Sequence, residues 1–277
     1  MFVVALLNKT IINLITLEFI GITLRLVQTL GNFNNSLNSL INSQVHIEKL
    51  IEFENDKDTK LTPLILDINI DQSTALKLED VSFKYFGSDE YMFENLNLEI
   101  IKNKHTVITG LNGTGKSTLI GLMSGIYYAS KGAVKISSDK LGYVGPLPLI
   151  LDSTLRENLN YGIKNKKSDE KLLEFINIFD LFNGKKVDLD LRVNNKSLSS
   201  GQMQKISFIR AVLSDMEILF LDESTSNLDT STKNNIFSVL DNMNLTIINS
   251  THSKDEFEYD YHLNITNIEG KRLVSFQ

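Results

Sequence analysis

Hydrophobic and polar residues along this chain fall into three successive regimes. Residues 1–30, MFVVALLNKTIINLITLEFIGITLRLVQTL, are mostly apolar, with Lys9, Glu18 and Arg25 as their charges. Thr10 to Leu30 has the length of a helix that crosses a bilayer, roughly 20 apolar residues. Glu18 near its middle would cost a lone helix about 3 kcal/mol. The stretch is expected to be a membrane helix, with a buried helix of a soluble domain as the alternative. A secretory leader is disfavoured, because the start is not basic and no small-residue cleavage site follows the apolar run. The pattern then turns amphipathic: Leu30, Phe33, Leu37, Leu40, Ile47 and Ile51 recur at helical spacing between Asn, Ser and Gln. This predicts one long helix leaving the membrane. The polar run ENDKDTKLTP, Glu54 to Pro63, ends it. A domain boundary is placed there, dividing residues 1–58 from residues 59–277.

From about Leu76 onward, short β-type runs alternate with helical patterns. HTVITG, His105 to Gly110, predicts a strand entering a glycine-rich turn, and Lys116 to Met123 begins the helix that follows. EILFLDE, Glu217 to Glu223, is a continuous apolar run of the kind buried on both faces of a sheet, closed by two carboxylates. LTIINST, Leu245 to Thr251, predicts another strand, and NIEGKRLV predicts a hairpin turning at Glu269–Gly270. Strand and helix in this alternation predict a parallel α/β sheet with ligands at the carboxyl ends of its strands.

Composition narrows the chemistry. The chain has no cysteine, which removes disulfides, thiolate metal sites and cysteine nucleophiles. Its net charge of −6, with no long basic run, argues against nucleic acid as the main partner. Within GLNGTGKST, Gly110, Gly115, Lys116 and Ser117 have the P-loop spacing, with a predicted strand before and a helix after. Glycines let the backbone curl so that successive N–H groups point inward, and the helix N-terminus adds a positive field. Lys116 would set a charge on the β- and γ-phosphates of a nucleoside triphosphate, and Ser117 a hydroxyl on Mg²⁺. Gly110, Asn112, Gly113, Thr114, Gly115, Lys116, Ser117 and Thr118 are the candidate cradle.

Downstream lies SLSSGQMQKISFIRA, Ser197 to Ala211, in which Ile206, Ile209 and Leu213 share a helical face. With the phosphate loop before LSSGQ and ILFLDE after it, the chain resembles the ATP-binding cassette (ABC) ATPases. The motif is similar to that family's LSGGQ signature, with Ser200 replacing its first glycine. The resemblance covers Leu76 to Gln277 and implies a P-loop NTPase fold of ABC type. That fold has a parallel sheet core, an antiparallel β subdomain and a helical signature subdomain, here preceded by a long N-terminal α-helix. It further implies that Tyr85 stacks on adenine, that Asp222 is the magnesium-associated aspartate and that Glu223 is the general base. Asp229 of STSNLD would be the D-loop acid, and His252 the switch histidine on the γ-phosphate. Two cassettes would sandwich two ATP molecules head to tail, with Ser199, Ser200, Gly201 and Gln202 of one reaching the nucleotide on the other.

GYVGPLPLILDSTLRENLNYG, Gly142 to Gly162, resembles the corresponding segment of ABC exporters, and SQVHIEKLIEF, Ser43 to Phe53, resembles the descent from their last membrane helix. Residues 1–58 are accordingly expected to be that helix, the earlier ones being absent from this chain as in a fragment or truncated reading frame, with separate membrane partners as the alternative. The implied cofactors are ATP and Mg²⁺. The implied partners are a second cassette, an exporter membrane domain and the membrane, with the cassette on the cytoplasmic side of the cell (inner) membrane. Two departures stand out. Pro146 occupies the family's Q-loop glutamine position, and proline supplies neither an amide side chain nor a backbone N–H. Asn194 and Asn195 precede the signature, where exporters often carry acid and glycine. ATP hydrolysis driving export is the expected function, and the alternatives are a nucleotide-operated switch with little turnover or a soluble ABC ATPase.

Overall fold

The computed structural model describes residues 17–55, 62–67, 70–226, 228–251, 258–268 and 271–276. The chain divides into two units, Met1–Lys60 and Leu61–Gln277. In the first, α1 (Leu17–Asn55) is a single helix of 39 residues. Ile22, Leu26, Leu30, Phe33, Leu37 and Ile41 are exposed along it, and their three- and four-residue steps set them on one stripe. The helix ends where the polar run begins. Among the described residues no helix is long and apolar enough to cross a membrane, and residues 10–16 of the expected Thr10–Leu30 span lie outside them.

The second unit runs β1 (Ile65–Leu66), β2 (Thr74–Phe83), β3 (Phe93–Ile101), β4 (His105–Gly110), α2 (Lys116–Met123), β5 (Lys131–Ile136), β6 (Leu141–Val144) and β7 (Ser153–Thr154). It continues with α3 (Leu155–Leu159), α4 (Asp169–Ile178), β8 (Arg192–Val193), α5 (Ser200–Leu213) and β9 (Ile218–Asp222). The last elements are α6 (Thr230–Asp241), β10 (Thr246–Ser250), β11 (Tyr261–Ile268) and β12 (Lys271–Phe276). A six-stranded sheet has the order β12-β11-β4-β10-β9-β6. Its neighbours are parallel except β12, which returns antiparallel along β11. The β11–β12 pairing fits the expected hairpin, whose turn residues lie outside the described ones. A four-stranded sheet has the order β1-β5-β2-β3, antiparallel apart from the short β1–β5 pair. The parallel core is the one the strand–helix alternation predicts, and the antiparallel sheet is the subdomain that the resemblance implies, with one parallel strand at its edge.

The apolar run in β9 is explained by its place between two cores. Ile218 and Phe220 pack into one core with α2 and the four-stranded sheet. Leu219 and Leu221 alternate onto the other, shared with α3 to α6, so no position of the strand faces water. Helix starts are set by their own side chains. Ser168 caps α4, with Asp169 and Glu170 in the first turn, where carboxylates meet the positive end of the helix. Thr154 and Glu157 close a reciprocal cap on α3. Register places Ser250 beside both Asp222 and Ile108, and Val144 beside Leu221. The carboxyl ends of β4, β6, β9 and β10 therefore lie together at one edge of the sheet.

Phe220 is fully buried, so Phe220→Ala is expected to destabilise the chain by about 3–5 kcal/mol. Equilibrium unfolding in denaturant checks this, and a loss below about 1 kcal/mol would show that β9 is not sandwiched between two cores.

Candidate functional site

The site begins where β4 runs out at Gly110. A Cβ there would lie 2.6 Å from the Ile265 carbonyl oxygen and 2.7 Å from Thr114 Oγ1, so the close passage of β11 demands glycine. Thr114 Oγ1 donates to the Leu111 carbonyl (2.9 Å), tightening the turn. Gly115 has φ of +106° at the N-cap of α2, a conformation open to glycine and costly for residues with a Cβ. The chain then enters α2 with the helix N-terminus at the loop, the arrangement that receives anions. Lys116 is buried, and its Nζ donates back to the Gly110 carbonyl (3.1 Å). The same ammonium lies 3.4 Å from Glu223 Oε1.

Next to it, Asp222 is 4% exposed, and hydroxyl groups satisfy its carboxylate. Ser117 Oγ and Ser250 Oγ both donate to Oδ1, at 2.9 and 2.8 Å, and the Tyr143 hydroxyl donates to Oδ2 at 3.3 Å. Burial, reinforced by the negative charge of Asp222, pushes the Tyr143 phenol up to about 12, so it is a donor throughout the neutral range. Glu223 sits at φ +47°, an uncommon backbone region for a residue with a Cβ. Its N–H is held by the Ser250 carbonyl (3.2 Å) and Ser250 Oγ (3.1 Å). Ser250 thus orients both acids.

The remaining expected residues are distributed around this centre. Asn112 and Gly113 are exposed on the loop. The Tyr85 hydroxyl is 2.6 Å from Thr118 Oγ1 on α2, and its ring stands edge-on to Phe83 and Tyr127. Ser199 caps α5 by accepting from the Gln202 N–H (3.2 Å), while Gln202 Oε1 accepts from the Ser199 N–H (2.9 Å). Ser200 and Gly201 open that helix. Among the described residues no hydrogen bond joins Ser199, Ser200, Gly201 or Gln202 to the phosphate-loop residues. Asp229 caps α6, and hydrogen bonds from the Thr232 N–H and then its hydroxyl hold the Asp229 carboxyl below its usual range. His252 lies outside the described residues.

Sequence reasoning missed Tyr143, Ser250, Gln204 and Arg210. Gln204 is buried in α5 and donates through Nε2 to the Gly145 carbonyl (3.0 Å), just before Pro146. Arg210, on the same helix, donates to the Leu149 carbonyl and to the carbonyl and Oδ1 of Asn158. Burial lowers the guanidinium of Arg210 to about 10. The signal for Ser250 was present in LTIINST as a hydroxyl at the end of an otherwise apolar strand. For Tyr143 it was the lone aromatic of a short strand between glycine and valine.

An open glycine loop, a buried ammonium, and a serine hydroxyl paired with a carboxylate suit a polyphosphate carrying a hard divalent cation. A Cβ at Gly113 would meet nothing within 4 Å, so the loop crest leaves space above it. Residues 93–226 match the family model described as ABC transporter. The chain is 28% identical to the ATP-dependent permease MDL1 of Candida albicans, over 87% of this chain and 38% of that protein. It is 27% identical to the lactococcin-A transport/processing ATP-binding protein LcnC of Lactococcus lactis subsp. lactis, over 97% of this chain and 42% of that protein. The chain therefore spans less than half the length of these relatives. Among solved structures, a bacterial Atm1-family ABC exporter with ATP bound aligns with a TM-score of 0.65 at 22% identity, covering 77% of this chain and 40% of that one. That likeness is one of fold.

Ser250→Ala removes a donor to Asp222 and an acceptor of the Glu223 N–H inside a buried network. It is expected to cost about 1–3 kcal/mol in denaturant unfolding; a change below about 0.5 kcal/mol would mean that the two acids are held without it.

Proposed function

We propose that this chain, which belongs to the ABC transporter family through residues 93–226, binds Mg²⁺·ATP at the carboxyl ends of β4 and β9 and hydrolyses it to drive export. The observation that carries this reading is the joining of the phosphate loop to two acids: Ser117 Oγ with Asp222 Oδ1 at 2.9 Å, and Lys116 Nζ with Glu223 Oε1 at 3.4 Å. Gly110 to Thr118 would cradle the phosphates with backbone N–H groups, and Lys116 would turn from the Gly110 carbonyl to the β- and γ-phosphates. Ser117 and Asp222 would hold the magnesium ion, which when bound neutralises phosphate charge and fixes its oxygens for in-line displacement. Tyr85 would stack on the adenine.

Glu223 would take one proton from the attacking water while its oxygen bonds to the γ-phosphorus. The bond to the β–γ bridging oxygen breaks, and ADP leaves with that electron pair. His252 would hold the water in line. Ser199, Ser200, Gly201 and Gln202 of a second copy, presented at the N-terminus of α5, would close over the γ-phosphate, with Asp229 at the shared interface. The partner could be identical or homologous, and the membrane domain would be that of an exporter in the cell (inner) membrane, with the cassette on its cytoplasmic side. A second reading is favoured by one feature. Pro146 follows the Gly145 carbonyl that Gln204 holds, and it supplies no amide to the site. In that reading the cassette binds ATP and acts as a switch with little turnover.

Turnover of ATP by the full chain, followed over a range of protein concentrations, tests the proposal. Activity should rise with concentration as cassettes pair, and Glu223→Gln should lower it by about 10²-fold or more while retaining ATP binding. Tight binding without any turnover that depends on Glu223 would leave the switch. Absence of ATP binding would overturn both readings. Pro146→Gln is expected to raise turnover, and an unchanged rate would show that the proline costs nothing.

A further inference from the structure

We infer that Tyr143 is a positioning residue for Asp222, and that through Gly145 it links the metal side of the nucleotide site to the signature helix. This rests on the reading above that Asp222 stands beside the magnesium ion. The two oxygens of the Asp222 carboxylate are not equivalent. Oδ1 is shared by Ser117 from the phosphate-loop helix and Ser250 from β10, whereas Oδ2 receives the Tyr143 hydroxyl from β6. Rotation about the last torsion of an aspartate is soft and broad. A donor on the second oxygen therefore fixes, together with Ser250 on the first, which way the carboxylate plane faces once Ser117 turns to a metal.

Tyr143 reaches Asp222 across a strand boundary. Register pairs Tyr143 with Phe220 and Val144 with Leu221, so the phenol must extend along the sheet edge to touch a residue two positions further on. Gly145 makes room for it. A Cβ on Gly145 would lie 3.0 Å from Tyr143 Cε1 and 3.5 Å from its hydroxyl. The Gly145 carbonyl is itself held by the buried Gln204 amide of α5 at 3.0 Å. Signature helix, Gly145, phenol ring and Asp222 thus form one chain of contacts, and it passes one residue short of Pro146. The ring is 43% exposed, so core packing does not account for its placement as the hydrogen bond does.

Calorimetric titration of ATP into the full chain, once with magnesium and once with EDTA, separates positioning from folding. In the unaltered chain magnesium should tighten ATP binding. In Tyr143→Phe that enhancement should shrink about three- to tenfold, the net worth of one ordinary intramolecular hydrogen bond, while affinity in EDTA stays the same. Gly145→Ala, which keeps the phenol but displaces its ring, should shift the enhancement in the same direction, and it serves as the test if Tyr143→Phe does not fold. An enhancement unchanged in these variants, or an affinity in EDTA that falls in step with it, overturns the role assigned to Tyr143. If the unaltered chain binds ATP without regard to magnesium, the reading of the site falls and this inference with it. Magnesium-dependent binding beside an indifferent Tyr143→Phe defeats the inference alone.

Discussion

The structure around the phosphate loop depends on how a buried carboxylate is satisfied. Asp222 ends a strand whose every side chain is buried, and an ionised carboxylate left there without partners would be strongly disfavoured. Three hydroxyls meet it, from the phosphate-loop helix, from β10 and from β6. Each comes from a different element, so satisfying one side chain brings three pieces of chain into mutual register. The Lys116 ammonium is directed elsewhere, onto its own loop and toward Glu223. A carboxylate bound by neutral donors keeps its charge available to a cation, which a tight pair with lysine would not.

What could be read from the sequence was what local geometry dictates. The phosphate loop follows from glycine spacing between a strand and a helix, because that geometry is made within nine residues, Gly110 to Thr118. The apolar run of β9 announced burial on both faces, and Ile206, Ile209 and Leu213 announced the helix that follows LSSGQ. Tyr143, Ser250, Gln204 and Arg210 were illegible for the opposite reason. Their partners lie far away in sequence, at Asp222, Glu223, Gly145 and Asn158, and only strand order and register bring them together. Even the Asp229 carboxylate, prominent as a motif, has a local duty as the cap of α6.

The loop from Gly145 to Ile150 has a physical anchor although the expected glutamine is missing from it. Gln204 and Arg210 are six residues apart on α5 and hold the chain on either side of Pro146 through backbone carbonyls. Carbonyl anchoring constrains little of the sequence in between, so Leu147 can stand almost fully exposed while the chain path is kept. The exposed apolar stripe on α1 belongs to the other unit.

The most direct measurement is anomalous scattering from manganese in crystals of the chain grown with manganese and a non-hydrolysable ATP analogue. The expected result is a manganese peak bonded to Ser117 Oγ with Asp222 beside it, and the analogue's phosphates lying over residues 110–115. A manganese peak remote from both side chains, or an analogue bound away from the loop, would contradict the assignment of this site.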